Sequence, residues 1–438
     1  LADTGRFEEA AAHYRGALQI NPDYMPARIN LGTALLNLGK PDEAIAHYME
    51  ALRLEPGNVY TCYNLGNALR ELGELDAAAG YYRQAITAKP DFAGAHHNLG
   101  VAFYQQGHYA QAVEAYRQAL ALAPEFAEGH VNLAITLLLC GEFAEGWAEY
   151  EWRLRMPGMA HSAPPPRWNG EPLAGKSIWV KAEQGFGDAL QFIRYLPKIQ
   201  ATGGRVIFAC RPELMRLLRS YPGIDQLAES GEAAPADYQT TLLSLPGIFR
   251  TDAASIPAAV PYIEADPALA AQWRARLGGD GQFKIGFVWA SNVHNRRIRY
   301  RSCELQWFSP LFQFPNTLFV SLQKDAGASR RLAEWPSAGN LLDLGGELTD
   351  FADTAAVVAN LDLVITVDTA VAHLAGAMGK PTWCLLSFVP DWRWFLARED
   401  SPWYPSMRLF RQPQAGDWAP VFAQVAPALK RLLSSLKF

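Results

Sequence analysis

The chain shows two patterns of apolar and polar positions, and the pattern changes near residue 156. Up to that point, small and aromatic residues return at a fixed interval of 34 residues. Beyond it, short apolar runs rich in β-branched residues alternate with segments of helical pattern, which predicts a parallel sheet with helices on its faces. The predicted strands are residues 178–182, 206–210, 283–289, 317–322, 361–366 and 382–387.

The 34-residue interval applies to several kinds of position. The recurring residues are Gly5, Gly39, Gly73, Gly107 and Gly141; Tyr14, Tyr48, Tyr82, Tyr116 and Tyr150; Pro22, Pro56, Pro90 and Pro124; and Leu31-Gly32, Leu65-Gly66 and Leu99-Gly100. This pattern resembles the tetratricopeptide repeat. The resemblance implies an α-solenoid of helix pairs over residues 1–156, with full repeats from Met25 and a degenerate one that ends near Trp152. It leaves open whether repeats continue upstream of residue 1.

One polar column follows the same interval. It consists of Asn30, Asn64, Asn98 and Asn132. In tetratricopeptide arrays this position faces the concave groove, and an amide both donates and accepts hydrogen bonds, so the column can hold an extended peptide whatever its sequence. The protein O-GlcNAc transferases look similar here, because they hold the acceptor polypeptide with an asparagine ladder. The alternative is that asparagine follows the consensus of stable repeats and bonds locally.

A proline- and glycine-rich stretch predicts a linker at residues 157–176. The first α/β half is predicted at residues 177–262, and its first strand runs into Gly185-x-Gly187-Asp188. The third glycine of the dinucleotide fingerprint is missing, which disfavours NAD. Asp188 stands at the start of the next predicted helix, which covers residues 189–200. A lone aspartate there is commonly a helix cap, so a cap and a functional carboxylate both remain open.

The second α/β half, predicted at residues 263–438, carries the candidate donor site. After a buried strand come Asp368 and Thr369, and His373 lies one helical turn further on. Ligands bind at the carboxyl ends of parallel strands, and free N–H groups at a helix start suit a phosphate. An ordinary strand–helix–strand unit, with Thr369 as its helix cap, is the alternative. The predicted donor contacts are Ser291, Asn292, Gln323, Lys324, Asp368, Thr369, Ala370 and His373.

Two further stretches of this half have chemistry of their own. The loop at residues 290–302 contains four arginines, which indicate an anionic ligand unless they are simply solvated. Residues 390–394, Pro-Asp-Trp-Arg-Trp, form an aromatic cluster with one arginine, which predicts a wall for a base or sugar. Aromatic packing at an interface between the halves is the alternative for this second stretch.

These motifs resemble one enzyme family. Val367-Asp-Thr-x-x-x-His373-x-Ala-x-Ala-x-Gly379-x-Pro381 is similar to the donor motif of the ADP-heptose lipopolysaccharide heptosyltransferases, and Gly185-x-Gly187-Asp188 resembles their catalytic turn. The resemblance covers residues 177–438. It implies an α/β GT-B fold, in which two Rossmann-like halves enclose a cleft. Asp188 would be the catalytic base on the acceptor side, and the reaction would invert the anomeric carbon.

The fusion of repeats to such a domain resembles bacterial O-GlcNAc transferase-like proteins and the repeat-bearing flagellin glycosyltransferases. We therefore expect a glycosyltransferase that moves a sugar from a nucleotide sugar to a hydroxyl of a protein or peptide held by the repeats. A heptosyltransferase-like enzyme acting on a glycolipid is one alternative. A non-catalytic repeat scaffold with a degenerate nucleotide-binding domain is the other. Neither the base, the sugar nor the acceptor is specified.

Composition narrows these classes further. The 438 residues are half hydrophobic and carry a formal net charge of -5, so no nucleic-acid partner is expected. The five cysteines are scattered, which predicts neither zinc nor disulfides and favours a reducing, cytoplasmic location. No apolar run approaches the roughly 20 residues of a membrane span. No Asp-x-Asp occurs, so we expect no metal and no cofactor beyond the nucleotide sugar as co-substrate.

Overall fold

The computed structural model describes residues 6–158, 165–231, 235–278, 281–291, 299–325, 327–335 and 340–435. The chain divides into two compact units, residues 1–160 and residues 161–438. None of the helices formed by the described residues is long and apolar enough to span a membrane.

The first unit is a solenoid in which each helix packs on the next, as the tetratricopeptide pattern predicts. Its helices are α1 (Phe7–Ile20), α2 (Met25–Asn37), α3 (Pro41–Leu54), α4 (Val59–Leu72), α5 (Leu75–Ala88), α6 (Ala93–Gln105), α7 (Tyr109–Leu122), α8 (Ala127–Cys140) and α9 (Phe143–Tyr150).

The recurring residues set the spacing of these helices. Gly73 ends α4 in the left-handed region at φ 86°, which allows the tight turn into α5. Tyr82 is fully buried, and a Cβ added to Gly66 would lie 2.6 Å from its ring. The glycine of each Leu-Gly pair therefore makes room for the tyrosine of the following helix, and α4 and α5 pack closely as a result.

The second unit begins with a small parallel sheet. Its strands are β1 (Ser177–Lys181), β2 (Arg205–Cys210), β3 (Gln226–Glu229) and β4 (Tyr238–Thr241), in the order β3-β2-β1-β4. The associated helices are α10 (Phe186–Phe192), α11 (Leu196–Gln200), α12 (Pro212–Leu218) and α13 (Leu245–Ile248). Trp168 is fully buried and its backbone N–H donates to Gln239 at 2.9 Å. The C-terminal part of the predicted linker is thus packed against this sheet.

A larger parallel sheet follows in the same unit. Its strands are β5 (Phe283–Val288), β6 (Thr317–Ser321), β7 (Leu341–Asp343), β8 (Leu363–Val367), β9 (Thr382–Leu386) and β10 (Met407–Arg411), in the order β10-β9-β8-β5-β6-β7. The helices around it are α14 (Pro267–Leu277), α15 (Ala328–Ala333), α16 (Phe351–Ala359), α17 (Ala370–Ala377) and α18 (Ala419–Ser435). Ile365 and Val364 belong to separate apolar clusters, so both faces of β8 are covered.

Two sheets of parallel strands with helices match the predicted pair of Rossmann-like halves, an arrangement consistent with a GT-B-like domain. The halves contact each other through α10 against α17 and α12 against α16. The segment that follows β1 therefore lies beside the segment that follows β8, which is the relation a shared site requires.

One predicted helix was wrong. Residues 189–200 were expected to form a single helix, but α10 ends at Phe192, a 3-10 turn covers Ile193–Tyr195, and α11 then begins at Leu196. Pro197 explains the break. Proline lacks an N–H and clashes with the preceding turn, so it is accepted at a helix start and not in a helix interior.

Candidate active site

Asp188 lies in the turn between β1 and α10. The helix cap is Gly185, and Asp188 is the third helical residue, whose Oδ2 accepts the Gly185 N–H at 2.7 Å. Asp188 is therefore not the N-cap residue, which was the alternative that the sequence left open; from the third helical position it bonds back to the cap backbone. Its side chain is 16% exposed, so a substrate can still reach it. Burial raises the pKa of Asp188, and the positive charge of Arg393 acts in the opposite direction.

Five charged side chains of alternating sign connect Asp188 to the donor motif. The Arg393 guanidinium bonds to Asp188 on one side and, at 2.8 Å, to Asp391 on the other. Asp391 also pairs with Arg301 at 3.1 Å, and Arg301 pairs with Asp368 at 2.9 Å. The five belong to segments that follow β1, β5, β8 and β9. Parallel strands bring these segments to one edge of each sheet.

This row of charges lies in a desolvated setting. Burial raises the pKa of Asp368, opposed by Arg301. For Asp391 burial alone would raise the pKa, but Arg393 and Arg301 together outweigh it and hold the pKa well below the usual range. Three carboxylates face two guanidiniums. The row therefore has one more negative than positive charge when every carboxyl is ionised.

The start of α17 has the geometry expected of an anion site. Thr369 occupies the cap position with extended backbone angles, yet its hydroxyl makes no cap hydrogen bond and pairs with the hydroxyl of Thr366 at 2.9 Å. Thr369 is thus the N-cap residue, as the sequence predicts, but its side chain does not provide the cap hydrogen bond. Ala370, the first helical residue, also has no polar side chain. The Ala372 N–H donates to the Thr369 carbonyl at 3.0 Å, so the N–H groups of this turn that are left to a ligand or to water are those of Ala370 and Val371.

His373 lies one turn into α17 and faces the first half. A Cβ added to Gly187 would be 2.7 Å from its ring, so only glycine fits beside Asp188 at this contact. Its Nδ1 bonds to the Tyr404 hydroxyl at 3.0 Å, and its ring stacks on Trp394. Burial, and then Arg393, lower the pKa of His373 to about 3. With its pKa lowered in this way, the ring is neutral near pH 7 and offers shape and hydrogen bonding rather than positive charge.

The remaining donor-side predictions separate into different roles. Gln323 is buried and bonds to the backbone of Trp289 and Ala290, at 2.9 Å for the Ala290 N–H, so it holds the loop after β5 in place. Lys324 is exposed and its ammonium donates to the Thr349 carbonyl at 3.0 Å. The backbone N–H of Ser291 donates to Ser302. Asn292 lies outside the described residues.

The asparagine column of the repeats is not uniform. The Asn98 amide donates to Tyr63 at 3.0 Å and to Asn67 at 2.7 Å, and its oxygen bonds to His97 Nδ1. The Asn132 amide lies 2.9 Å from His97 Nε2. Asn98 and Asn132 are thus joined through His97 within the array.

Asn30 and Asn64 differ from these two. In the described part of the repeats, neither side chain has a hydrogen bond to another residue of the chain. Asn30 is exposed and Asn64 half-buried. The amides that remain available to a bound peptide therefore lie at the N-terminal end of the column.

Sequence reasoning did not assign Arg301, Asp391 or Arg393 to the site. The sequence points to the four-arginine loop and to the 390–394 stretch, and it leaves the second open between a wall for a base or sugar and aromatic packing at an interface. In the structure the Trp392 ring stacks on Phe192 of α10 with ring centres 6.1 Å apart, so packing at the interface of the halves and ion pairing of Arg393 occur together. The sequence signal that could have indicated an ion pair here is Asp391, which stands two residues before Arg393.

Comparison with known families agrees with both units. Residues 1–48 and 93–126 match models described as tetratricopeptide repeat, and residues 66–107 match one described as TPR repeat. Residues 318–388 match glycosyltransferase family 9 (heptosyltransferase). This last match contains β8, α17 and β9, together with Lys324 and His373.

Individual relatives cover parts of the chain. Protein FlbA of Caulobacter vibrioides is 32% identical over 323 residues, which are 66% of this chain and 53% of FlbA, so the chain spans about half of that relative. MamA from Desulfovibrio magneticus RS-1 is 22% identical over 36% of this chain and 88% of its own, with a TM-score of 0.32. PilF of Pseudomonas aeruginosa is 20% identical over 50% and 87%, with a TM-score of 0.36.

The chain is thus a tetratricopeptide-repeat protein with a glycosyltransferase domain. That domain is heptosyltransferase-like, of the kind described as glycosyltransferase family 9.

Proposed function

We propose that the protein transfers a sugar from a nucleotide sugar to a hydroxyl of a protein or peptide, without a metal and with inversion at the anomeric carbon. The observation that supports this most is that the turn carrying the predicted base packs against the predicted donor helix. Gly187 touches His373, and Asp188 connects through Arg393, Asp391 and Arg301 to Asp368. The proposed positions of the attacking acceptor hydroxyl, beside Asp188, and of the leaving diphosphate, beside α17, are therefore adjacent.

Asp188 takes the proton of the acceptor hydroxyl as the oxygen attacks the sugar. Such general-base assistance contributes about 10²–10⁴ in rate. One carboxylate oxygen accepts the Gly185 N–H and the other meets Arg393, and a carboxylate retains further lone pairs for the incoming proton. Inversion follows if the attack is in line with the departing nucleoside diphosphate.

The leaving diphosphate is stabilised by the second half. The uncapped start of α17 offers N–H groups and the positive end of the helix dipole. Arg301 is ion-paired with Asp368, the residue before the Thr369 cap, and its guanidinium can also bind a phosphate. Lys324 at the end of β6 adds a point charge. These groups do the work that a metal does elsewhere, and the absence of a metal stays a prediction.

The acceptor is proposed to be a polypeptide held by the repeat array. Repeat arrays of this kind present extended concave surfaces to partners. Asn30 and Asn64 have the free amides needed to hold a peptide backbone, whereas Asn98 and Asn132 are used within the array. The sequence predicts that all four asparagines of the column contact the peptide, whereas the proposal assigns this contact to Asn30 and Asn64.

The donor part of the proposal is tested by thermal shift and calorimetry with a panel of nucleoside diphosphates and nucleotide sugars. One nucleotide family should raise the melting temperature, since a ligand of the folded state stabilises it. Lys324→Ala should weaken that binding, and Lys198→Ala, a substitution in the first half, should not. Unchanged affinity of the Lys324 variant would remove this residue from the site. Transfer to a glycolipid but not to any polypeptide would overturn the acceptor assignment.

A further inference from the structure

Arg216 and Arg393 each form an ionic contact between the two α/β halves, and these two contacts differ in character. Arg216 of α12 pairs with Asp350 at 2.8 Å and with Asp353 at 2.6 Å near the start of α16, and its side chain is 43% exposed. Arg393 pairs with Asp188 from the segment after β9, and its side chain is 6% exposed. The first contact is solvated, so salt and water weaken it. The second is desolvated and includes the predicted base.

Arg393 is held in place by its own half before it reaches across. Its backbone N–H donates to Asp391 Oδ1 at 3.1 Å, and its Nη1 bonds to the same oxygen at 2.8 Å. The guanidinium also lies 4.4 Å from the ring centre of Trp392 in its own half, and 5.4 Å from the ring centre of Phe192 at the end of α10 in the first half. A planar fork held at one side and stacked on aromatic rings presents its other side, Nη2, in a fixed direction.

Asp188 is held within the first half by its own turn, because its Oδ2 accepts the Gly185 N–H. The contact of Gly187 with His373 of the second half further restricts the shape of that turn. Only Oδ1 is left to set the orientation of the carboxylate, and that oxygen meets Arg393. Each half therefore supplies one member of the pair, and neither half contains both.

We propose that Arg393 is the positioning residue of the catalytic base, so that Asp188 has its working orientation and ionisation only while the two halves are apposed. This inference rests on the proposed function, because it concerns how the base of that reaction is held. An acceptor hydroxyl that arrives before the halves close meets a carboxylate without its cation. Closure of the cleft and readiness of the base are thus one event.

The arginine should be visible in the pH dependence of turnover. A neighbouring cation favours the ionised carboxylate and lowers its pKa by about 1–3 units. Arg393→Gln removes that cation and keeps much of the side-chain volume, so the acid limb of the kcat profile should move up by about 1–3 pH units. At a pH below both limbs, turnover should then fall by about tenfold for each pH unit of displacement and recover at higher pH, whereas the KM for the donor should change little.

Arg393→Lys is the conservative variant. A single ammonium keeps the charge but cannot bond Asp188 and Asp391 through separate nitrogens as the fork does. Its acid limb should lie between those of the wild type and Arg393→Gln. Should Arg393→Gln fail to fold, the limb of Arg393→Lys decides the question. The matched control is Arg216→Gln. It removes the contact of Arg216 with Asp350 and Asp353 between the halves and should leave the acid limb in place.

The experiment uses the full chain with donor and acceptor polypeptide, and melting temperatures are measured for every variant. A shifted limb for the Arg393 variants with an unmoved limb for Arg216→Gln supports the inference. Active Arg393 variants whose limb equals that of the wild type overturn it and leave the arginine a structural contact. An activity loss that is the same at every pH overturns it as well. A wild-type chain without transferase activity, or an active Asp188→Asn, would instead be the failure of the proposed function.

Discussion

At the residue scale, the site depends on how buried charges are paired. Asp188, Asp368 and His373 were placed by motif and spacing, because each stands at the end of a strand or the start of a helix. Arg393 could not be found in this way. It lies 205 residues from Asp188 along the chain, and only the packing of α10 on α17 brings the two together. Local patterns identify residues near a strand end but not their partners in the other half.

The first prediction concerns Asp188→Asn. The amide oxygen can still accept the Gly185 N–H, so the start of α10 should persist. The amide cannot take a proton, and turnover should fall by about 10²–10⁴ while donor affinity stays. Steady-state kinetics and calorimetry check this. Near-normal turnover would leave the base unidentified.

Asp266→Asn is the control for this substitution. Asp266 caps α14 by accepting the Leu269 N–H at 2.9 Å, and α14 carries no part of the proposed site. Its replacement should leave both turnover and donor affinity unchanged. A drop in turnover equal to that of Asp188→Asn would mean that the assay reports general loss of structure.

The second prediction concerns stability against pH. The pKa of folded His373 is about 3, below its ordinary value of 6.5, so the unfolded chain binds the additional proton between these pH values. The stability contributed by the neutral ring is present above pH 6.5 and is lost as pH falls toward about 3. His373→Gln should therefore lose less stability between pH 7 and pH 5 than the wild type, as measured by denaturant unfolding. The same substitution at the exposed His13 should leave that difference unchanged.

At the element scale, burial decides what the sequence could predict. All the strands buried on both faces, such as β5 and β8, were located within a few residues because they are continuous apolar runs. β3 and β4 were missed since their residues are mostly half-buried or exposed and include polar side chains. The short β7 lacks a long enough run, and the polar ends of β10 interrupt its pattern.

The third prediction uses two glycines of the repeats. Gly66→Ala places a methyl group 2.6 Å from the buried Tyr82 ring, which should separate α4 from α5 and destabilise the array by about 1–3 kcal/mol. Gly80→Ala, in the interior of α5, meets nothing within 4 Å and should stabilise by up to about 1 kcal/mol. Thermal melting of the two variants checks the opposite signs. Equal melting temperatures would mean that the tyrosine yields and that the Leu-Gly column has another cause.

At the scale of the whole molecule, the chain combines a repeat array with a transfer site. The proposal assigns the peptide contact to residues of the array and the chemistry to residues of the α/β unit. Substitutions should therefore be able to remove transfer to a polypeptide without removing hydrolysis of the donor. A change in the array should reduce transfer to a polypeptide and leave donor turnover to water intact, because the second reaction needs only the α/β site.

The fourth prediction applies this to the asparagine column. The double change of Asn30 and Asn64 to Ala should leave the melting temperature nearly unchanged, since these amides make no bond within the described repeats. It should lower transfer to the polypeptide and spare donor hydrolysis. Asn132→Ala instead removes the contact with His97 and should cost about 1 kcal/mol of stability. Paired assays of transfer, hydrolysis and melting distinguish the two cases. If the double variant transfers as the wild type does, the column is structural throughout; if hydrolysis falls together with transfer, the array supports the α/β unit rather than the acceptor.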